Sequence, residues 1–375
     1  MKRLKFIRKP FLTLVVVTFV ALAIIYIESQ KPDLSQIPTN YSKDILMKSV
    51  NYRKAPNFAG IEKWINSMPL TMDRLNGKVV LVDFWTYTCI NCIRTIPYLN
   101  EWDKKYRNDG LVIVGVHTPE FEFEKKYENV LKAVSEYQIK YPVAQDNNYA
   151  TWSAYQNRYW PHKYLIDMDG YIRYDHIGEG NYDETEKMIQ VLLKERMERI
   201  KRIEYNKPDI SQPQNTINVD FYNINTPEIY FGYKFSRGNF GNPEGIKPNQ
   251  IVDYKFPSSI TSNNAYFEGK WKSNEDNMEL ADDEGSILLI FKAKSANIVA
   301  GSDNSNSSNA FVYLDNEIET NKNKGHDVII KENNSISKIK DFRLYNIASA
   351  EEYGTHSINI NAAGKGFKIY TFTFG

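Results

Sequence analysis

Val79-Val80-Leu81-Val82-Asp83-Phe84-Trp85-Thr86-Tyr87-Thr88-Cys89-Ile90-Asn91-Cys92 is the stretch that decides the fold of this 375-residue chain. A near-continuous apolar run from Val79 to Trp85 reads as a strand buried on both faces of a sheet. The polar residues after it lead into a helix, carried by Ile96, Leu99, Trp102 and Tyr106 and holding Pro97 as a kink. Cys89 and Cys92 are the chain's two cysteines, and they stand at that strand-to-helix junction. A thiol there faces the unpaired N–H groups and positive dipole end of the helix, which favour its thiolate. The second thiol lies one turn further and can attack a mixed disulfide formed by the first. The pattern predicts a redox-active dithiol in which Cys89 attacks and Cys92 resolves.

Two plainer readings of the pair are weaker. Zinc wants four ligands, and the five histidines, at 117, 162, 176, 326 and 356, show no metal-ligand spacing. A purely structural disulfide would close so short a loop that it constrained the unfolded chain little. No cofactor beyond the Cys89–Cys92 pair is expected.

Upstream, residues 1–10 carry Lys2, Arg3, Lys5, Arg8 and Lys9 and no acid, and an uncharged apolar run follows from Phe11 to Ile27. About seventeen helical residues span roughly 25 Å, the lower end for crossing a bilayer. The basic flank predicts a cytoplasmic N-terminus, a single transmembrane anchor at 11–27 and everything beyond it outside the cytoplasm, where disulfide chemistry belongs. A signal peptide cleaved near Ala21-Leu22-Ala23 is the rival, disfavoured because Ile24-Ile25-Tyr26-Ile27 continues the apolar run. Residues 28–54 read as a tether. With 47 basic against 46 acidic residues and no basic stripe, nucleic-acid binding is not indicated.

Downstream, residues 55–201 alternate strand and helix signals. Leu111–Val116 is a second buried strand, Tyr127–Tyr137 a helix, Tyr141–Ala144 a short strand. Tyr164–Asp167 and Tyr171–Tyr174 flank an Asp169-Gly170 turn, and Glu184–Lys201 is a closing helix. The order β-α-β-α-β-β-α describes a small α/β sandwich. Residues 202–226 are polar and proline-containing and read as a linker. Residues 227–375 carry short alternating strands, clearest at 286–294, 309–314, 326–331, 342–347, 356–360 and 367–374, as in an all-β sandwich.

The string Trp85-Thr86-Tyr87-Thr88-Cys89-Ile90-Asn91-Cys92-Ile93-Arg94-Thr95-Ile96-Pro97-Tyr98-Leu99 resembles the thioredoxin superfamily, in its membrane-anchored TlpA-like branch. So do Gly115-Val116-His117-Thr118-Pro119-Glu120-Phe121-Glu122-Phe123-Glu124-Lys125 and Asn157-Arg158-Tyr159-Trp160-Pro161. In this order the motifs are similar to the extracytoplasmic part of DipZ-type thiol:disulfide interchange proteins across residues 55–200. The resemblance implies a cis-proline at Pro161 facing the dithiol, with Trp160 and Trp85 beside the substrate. It implies a buried acid, Asp83, that takes the Cys92 proton, and a second relay at Glu120 in the active-site wall. His117 and His162 read as structural. Relatives that keep a glutamate three residues after the second cysteine differ here, where Thr95 stands. Arg94 reads as exposed on the helix, and Gly178-Glu179-Gly180 as a turn.

The C-terminal part resembles the DipZ-type jelly-roll domain, similar to carbohydrate-binding modules, through Thr226-Pro227-Glu228, Tyr230, Gly232-Tyr233 and Tyr370–Gly375. Glycan binding would need an exposed aromatic platform. Trp271, Tyr266 and Tyr313 are candidates, although sandwich aromatics are mostly core. The functional expectation is an anchored extracytoplasmic thiol-disulfide oxidoreductase acting on disulfide-containing proteins, recharged by a CcdA/DsbD-type membrane partner. A thioredoxin-fold peroxidase and a non-catalytic surface protein that binds glycan or protein are the alternatives.

Overall fold

The computed structural model describes residues 48, 50–200, 207–214, 216–303 and 307–375. The chain divides into two compact units, residues 1–54 and 55–375. The anchor read at 11–27 lies outside the described residues, as does nearly all of the tether. Among the described residues no helix is long and apolar enough to cross a membrane.

The α/β half of the second unit is a six-stranded sheet. Its strands are β1 (Lys63–Ile65), β2 (Val79–Trp85), β3 (Leu111–His117), β4 (Val143–Gln145), β5 (His162–Ile166) and β6 (Ile172–Ile177), in the order β1-β4-β3-β2-β5-β6. Strands β2, β3 and β4 are parallel, and β1, β5 and β6 each run antiparallel to a neighbour. All seven residues of β2 are buried, because helices cover both faces of the central strand. The helices are α1 (Ile90–Tyr106), α2 (Tyr127–Glu136), α3 (Ala150–Ala154) and α4 (Tyr182–Arg199). Two elements had no signal in the sequence, β1 and α3. Each is three to five residues long and is held by its neighbours, β1 by its ladder to β4, rather than by its own periodicity.

The β-rich half holds β7 (Ile229–Tyr230), β8 (Ile251–Tyr254), β9 (Ala265–Ser273), β10 (Met278–Leu280), β11 (Glu284–Ser302), β12 (Ser308–Leu314), β13 (Glu317–Ile318), β14 (Ile329–Lys331), β15 (Asn334–Ile339), β16 (Arg343–Ala363) and β17 (Phe367–Phe374). The strand read at 286–294 runs on to Ser302, and those read at 342–347 and 356–360 merge into β16. β11 and β16 pair along nearly their whole length, with register shifts at Ala293/Ser295 and Ala296/Asn297 where a bulge bends the ribbon. The first part of β11 also borders β9 and the second part β17, so one hydrogen-bonded sheet folds around a single core. Trp271 and Tyr266 belong to that interior and form no exposed platform.

The two halves share a hydrophobic cluster: Tyr230, Val299 and Tyr370 of the β-rich half are buried with Phe121 and Phe123 of the α/β half. Phe121 meets Tyr370 at 5.2 Å between ring centroids, and Phe123 meets Tyr370 at 4.8 Å and Phe342 at 5.3 Å. Such rings bury large areas in edge-on and tilted contacts. The Tyr87 hydroxyl donates across the seam to the Phe342 carbonyl at 3.1 Å. The Pro119–Lys125 segment is therefore a foot on which the second domain stands, directly beside the loop that precedes Cys89.

Candidate active site

Cys89 caps α1. Its backbone is extended (φ −74°, ψ 113°), and its Sγ accepts the Cys92 amide at 3.2 Å. This is the cap bond usually made by a serine or aspartate oxygen, here given to the sulfur that carries charge during exchange. The two Sγ atoms lie 2.7 Å apart; Cys89 is partly exposed and Cys92 is buried. The thiols therefore differ in access: a substrate disulfide reaches Cys89 first. Burial, the hydrogen bond to Cys89 and the charges of Cys89 and Asp83 all hold the proton on Cys92, so its thiol is pushed well up.

The loop before Cys89 is fixed on three sides. Thr88 Oγ1 donates to Glu124 Oε1 at 2.5 Å, and the Glu120 and Phe121 amides donate to Glu124 Oε2 at 2.5 and 2.9 Å. The Tyr137 hydroxyl donates to the Tyr87 carbonyl at 3.1 Å, and the Tyr87 ring stacks on His117. Glu124 is fully buried, and burial pushes its carboxyl up against those donors. The Trp160–Pro161 bond is cis. Trp160 is partly exposed, with its indole N–H on the Thr118 carbonyl at 3.1 Å and its ring against Trp152.

Beneath the thiols, Asp83 of β2 stands opposite Lys163 of β5, both buried. Asp83 Oδ1 has no hydrogen-bond partner among the described residues. Burial pushes the Asp83 carboxyl up to about 7, opposed by the charge of Lys163. Burial pulls the Lys163 ammonium down, opposed by Asp83, Cys92, Glu179 and Cys89. A carboxyl that keeps its proton up to about pH 7 folded and only to about 3.9 unfolded makes the native state the better proton binder between those values. Stability from this group therefore falls as pH rises from about 4 to about 7. Asp83→Asn is expected to gain up to about 4 kcal/mol over the natural protein at pH 8. Urea unfolding at pH 4, 6 and 8 should show that gain shrinking towards zero as pH falls, and a pH-independent gain would assign it to packing instead.

Glu120 and Trp85 sit elsewhere than the sequence suggested, while His117 and His162 are structural as read. Glu120 is half-buried and faces Glu124, Glu228, Tyr230 and Arg237; burial and the two carboxylates push it up to about 8. Its surroundings belong to the domain seam. Trp85 is 1% exposed and packs edge-on to His117, whereas Trp160 stays partly exposed. His117 is buried, and burial alone drives its imidazole down to about 3, a neutral core ring. His162 is held between Asn157 and Asp175 at 2.6 and 2.9 Å.

Arg94, read as exposed, is buried instead. It grips Glu179 through Nε at 2.8 and 3.1 Å and through Nη2 at 2.6 Å, and Nη2 also reaches Asn91 Oδ1 at 2.7 Å. The Gly178–Gly180 turn is thereby tied to the residue between the two cysteines. Sequence reasoning missed this pair, Lys163 and the anchoring role of Glu124. A lysine inside the apolar run His162–Ile166 was the one available signal.

Residues 53–192 match the Redoxin family model, and residues 226–375 match that of the thioredoxin-like C-terminal domain. The chain is 38% identical to Protein DipZ of Mycobacterium tuberculosis over 252 residues, 66% of this chain and 35% of that protein's length. It is 30% identical over 141 residues to the thiol-disulfide oxidoreductase YkuV of Bacillus subtilis, 37% of this chain and 94% of that protein. Among solved structures, a thioredoxin-like protein in its oxidised form is 30% identical over 38% of this chain and 97% of its own, with a TM-score of 0.36.

Proposed function

Because this chain belongs to the thioredoxin superfamily as a DipZ-type thiol-disulfide oxidoreductase, we propose that it is a membrane-anchored disulfide reductase working outside the cytoplasm. The observation that carries the reading is the asymmetry of the pair: an accessible Cys89 capping α1 and a buried Cys92 one turn behind it. Cys89 attacks a substrate disulfide, forming the Cys89–substrate bond and releasing one substrate thiolate. Asp83 takes the proton of Cys92, whose sulfur attacks Cys89 Sγ. The Cys89–Cys92 disulfide forms, the mixed disulfide breaks, and its electron pair leaves on the second substrate sulfur. The substrate is reduced and the enzyme oxidised. Turnover then requires an electron donor. The basic flank and apolar run of residues 2–27 support an anchor, and a separate CcdA/DsbD-type membrane protein is the donor that such an anchor would bring close.

The direction of electron flow is tested by equilibrating the protein in graded thiol/disulfide buffers and counting free thiols. A two-electron transition near the thioredoxin value, about −270 mV, is expected. A transition near the DsbA value, about −120 mV, would make the protein an oxidant and overturn the reductase assignment.

A further inference from the structure

We infer that the cleft between the α/β half and the β-rich half, which opens beside Cys89 at Ile90, seats the polypeptide on one flank of a substrate's disulfide, so that the β-rich half selects the substrate. The inference rests on the exchange chemistry proposed for Cys89 and names the class of substrate that chemistry meets: an extended chain with apolar side chains next to its cysteine.

The cleft encloses about 890 Å³. One wall is the first turn of α1, where Ile90 and Ile93 stay partly exposed just after the attacking thiol. The opposite wall belongs to β11 and β16. Val299–Leu344 and Asn297–Asn346 are pairs in that ladder whose side chains leave the sheet on one face, and Val299 is packed into the cluster shared with the α/β half. Leu344 carries that apolar cover on into the cleft, and Ile217 of the connecting segment forms its rim, 68% exposed. The two walls meet where Gly375 abuts Arg94: a Cβ on this glycine would lie 2.9 Å from Arg94 Nη1. Among the described residues neither Trp160 nor Pro161 lines this space, so it is a separate flank of Cys89 from the proline loop.

The chemistry of the walls says what fits. The ions that line the cleft are already matched: Arg94 with Glu179 at 2.6 Å, Arg343 with Asp327 at 2.7 Å and Asp341 with Lys132 at 2.7 Å. The amides are matched too, since Asn346 Nδ2 donates to Asn297 Oδ1 at 2.9 Å and Asn346 Oδ1 accepts the His326 amide at 2.7 Å. A charged occupant would have to break such pairs, whereas the isoleucines and Leu344 offer apolar surface still open to water. Continuity with the thiol identifies the occupant. A chain joined to Cys89 as a mixed disulfide is tethered one residue from Ile90, and three or four extended residues reach roughly 10–14 Å from that tether. Its neighbours in sequence therefore enter the cleft at high effective concentration. The exchange is unchanged by this contact: two protein thiols become the Cys89–Cys92 disulfide, and the substrate disulfide takes up two electrons and two protons.

The reduced full-length protein is mixed with three uncharged disulfides. One is bis(2-hydroxyethyl) disulfide; the others are disulfide-linked dimers of two capped peptides of equal length. One peptide carries leucine and valine on both sides of its cysteine, the other glycine and serine. Protein thiols left at timed quenches are counted by mass after alkylation, and each peptide rate is divided by that of the small disulfide. The apolar dimer is expected to react about tenfold faster than its glycine-serine counterpart. In Leu344→Gln that preference should fall to about twofold or less. If Leu344→Gln does not fold, Ile217→Gln decides, because its side chain stands at the exposed rim; there the preference should fall by about half. Equal rates for the two dimers in the natural protein, or a preference that the deciding variant keeps in full, overturn the inference while the exchange chemistry stands. A protein that reacts with none of the three disulfides loses the exchange chemistry itself, and the inference with it.

Discussion

Cys89→Ser is expected to lower disulfide reduction by about a thousandfold or more, to the level of solution thiols. A hydroxyl at the α1 cap would keep the bond to the Cys92 amide and hence the fold, since serine is itself a preferred cap. What disappears is the accessible thiol of the pair: Cys92 is buried behind it and cannot reach a substrate. Cys92→Ser should behave differently. The first exchange at Cys89 proceeds, the resolving sulfur is missing, and the covalent Cys89–substrate adduct accumulates. Non-reducing electrophoresis and mass spectrometry after incubation with a disulfide-bonded protein distinguish the two variants. Adduct formation by Cys89→Ser, or none by Cys92→Ser, would reverse the assignment of attacking and resolving thiols.

The second large effect is on stability. Arg94→Met is expected to destabilise the protein by about 3–5 kcal/mol, the range for stranding one half of a buried ion pair. The side chains of Arg94 and Glu179 are 5% and 7% exposed and share three hydrogen bonds. Removing the guanidinium strips the buried carboxylate of its hydrogen-bonded counterion. The paired change Arg94→Met with Glu179→Leu should recover much of the loss, because replacing both charges by apolar groups removes the desolvation cost as well. Chemical unfolding of the two singles and the double measures this directly, and a double variant as unstable as the sum of the singles would show that the pair contributes no coupling.

The parts of this protein that could be read from its sequence are those where local chemistry leaves one arrangement. A near-continuous apolar run ending in Thr88-Cys89 can only be a buried strand feeding a helix cap, and β2 and α1 lie there. Helix spacing located α2 and α4 to within two residues. Long-range polar pairing was not readable. Arg94 and Glu179 are 85 positions apart, and a charged residue on a short helical turn reads as solvated until its partner is known. Glu120 was placed by analogy with an active-site wall, whereas its environment is supplied by Glu228, Tyr230 and Arg237 from another domain. Trp85 ends the run read as buried, while the resemblance sets it beside the substrate; the structure buries it. Its burial depends on Gly115, whose missing side chain leaves the indole room: a Cβ there would lie 3.0 Å from its nitrogen. The two long strands of the β-rich half were cut short for a similar reason, since bulged stretches lose the alternation by which strands are recognised.

The aromatic foot at Phe121 and Phe123 also limits how this molecule can be dissected. Excised alone, the catalytic half would expose those rings, and the second domain would expose Tyr230, Phe342 and Tyr370, to water that neither surface is composed to meet. Contiguous apolar patches of that kind drive aggregation. A protease that nicks the connecting segment would therefore leave two fragments that stay together, and attempts to express either half by itself invite inclusion bodies rather than a working module.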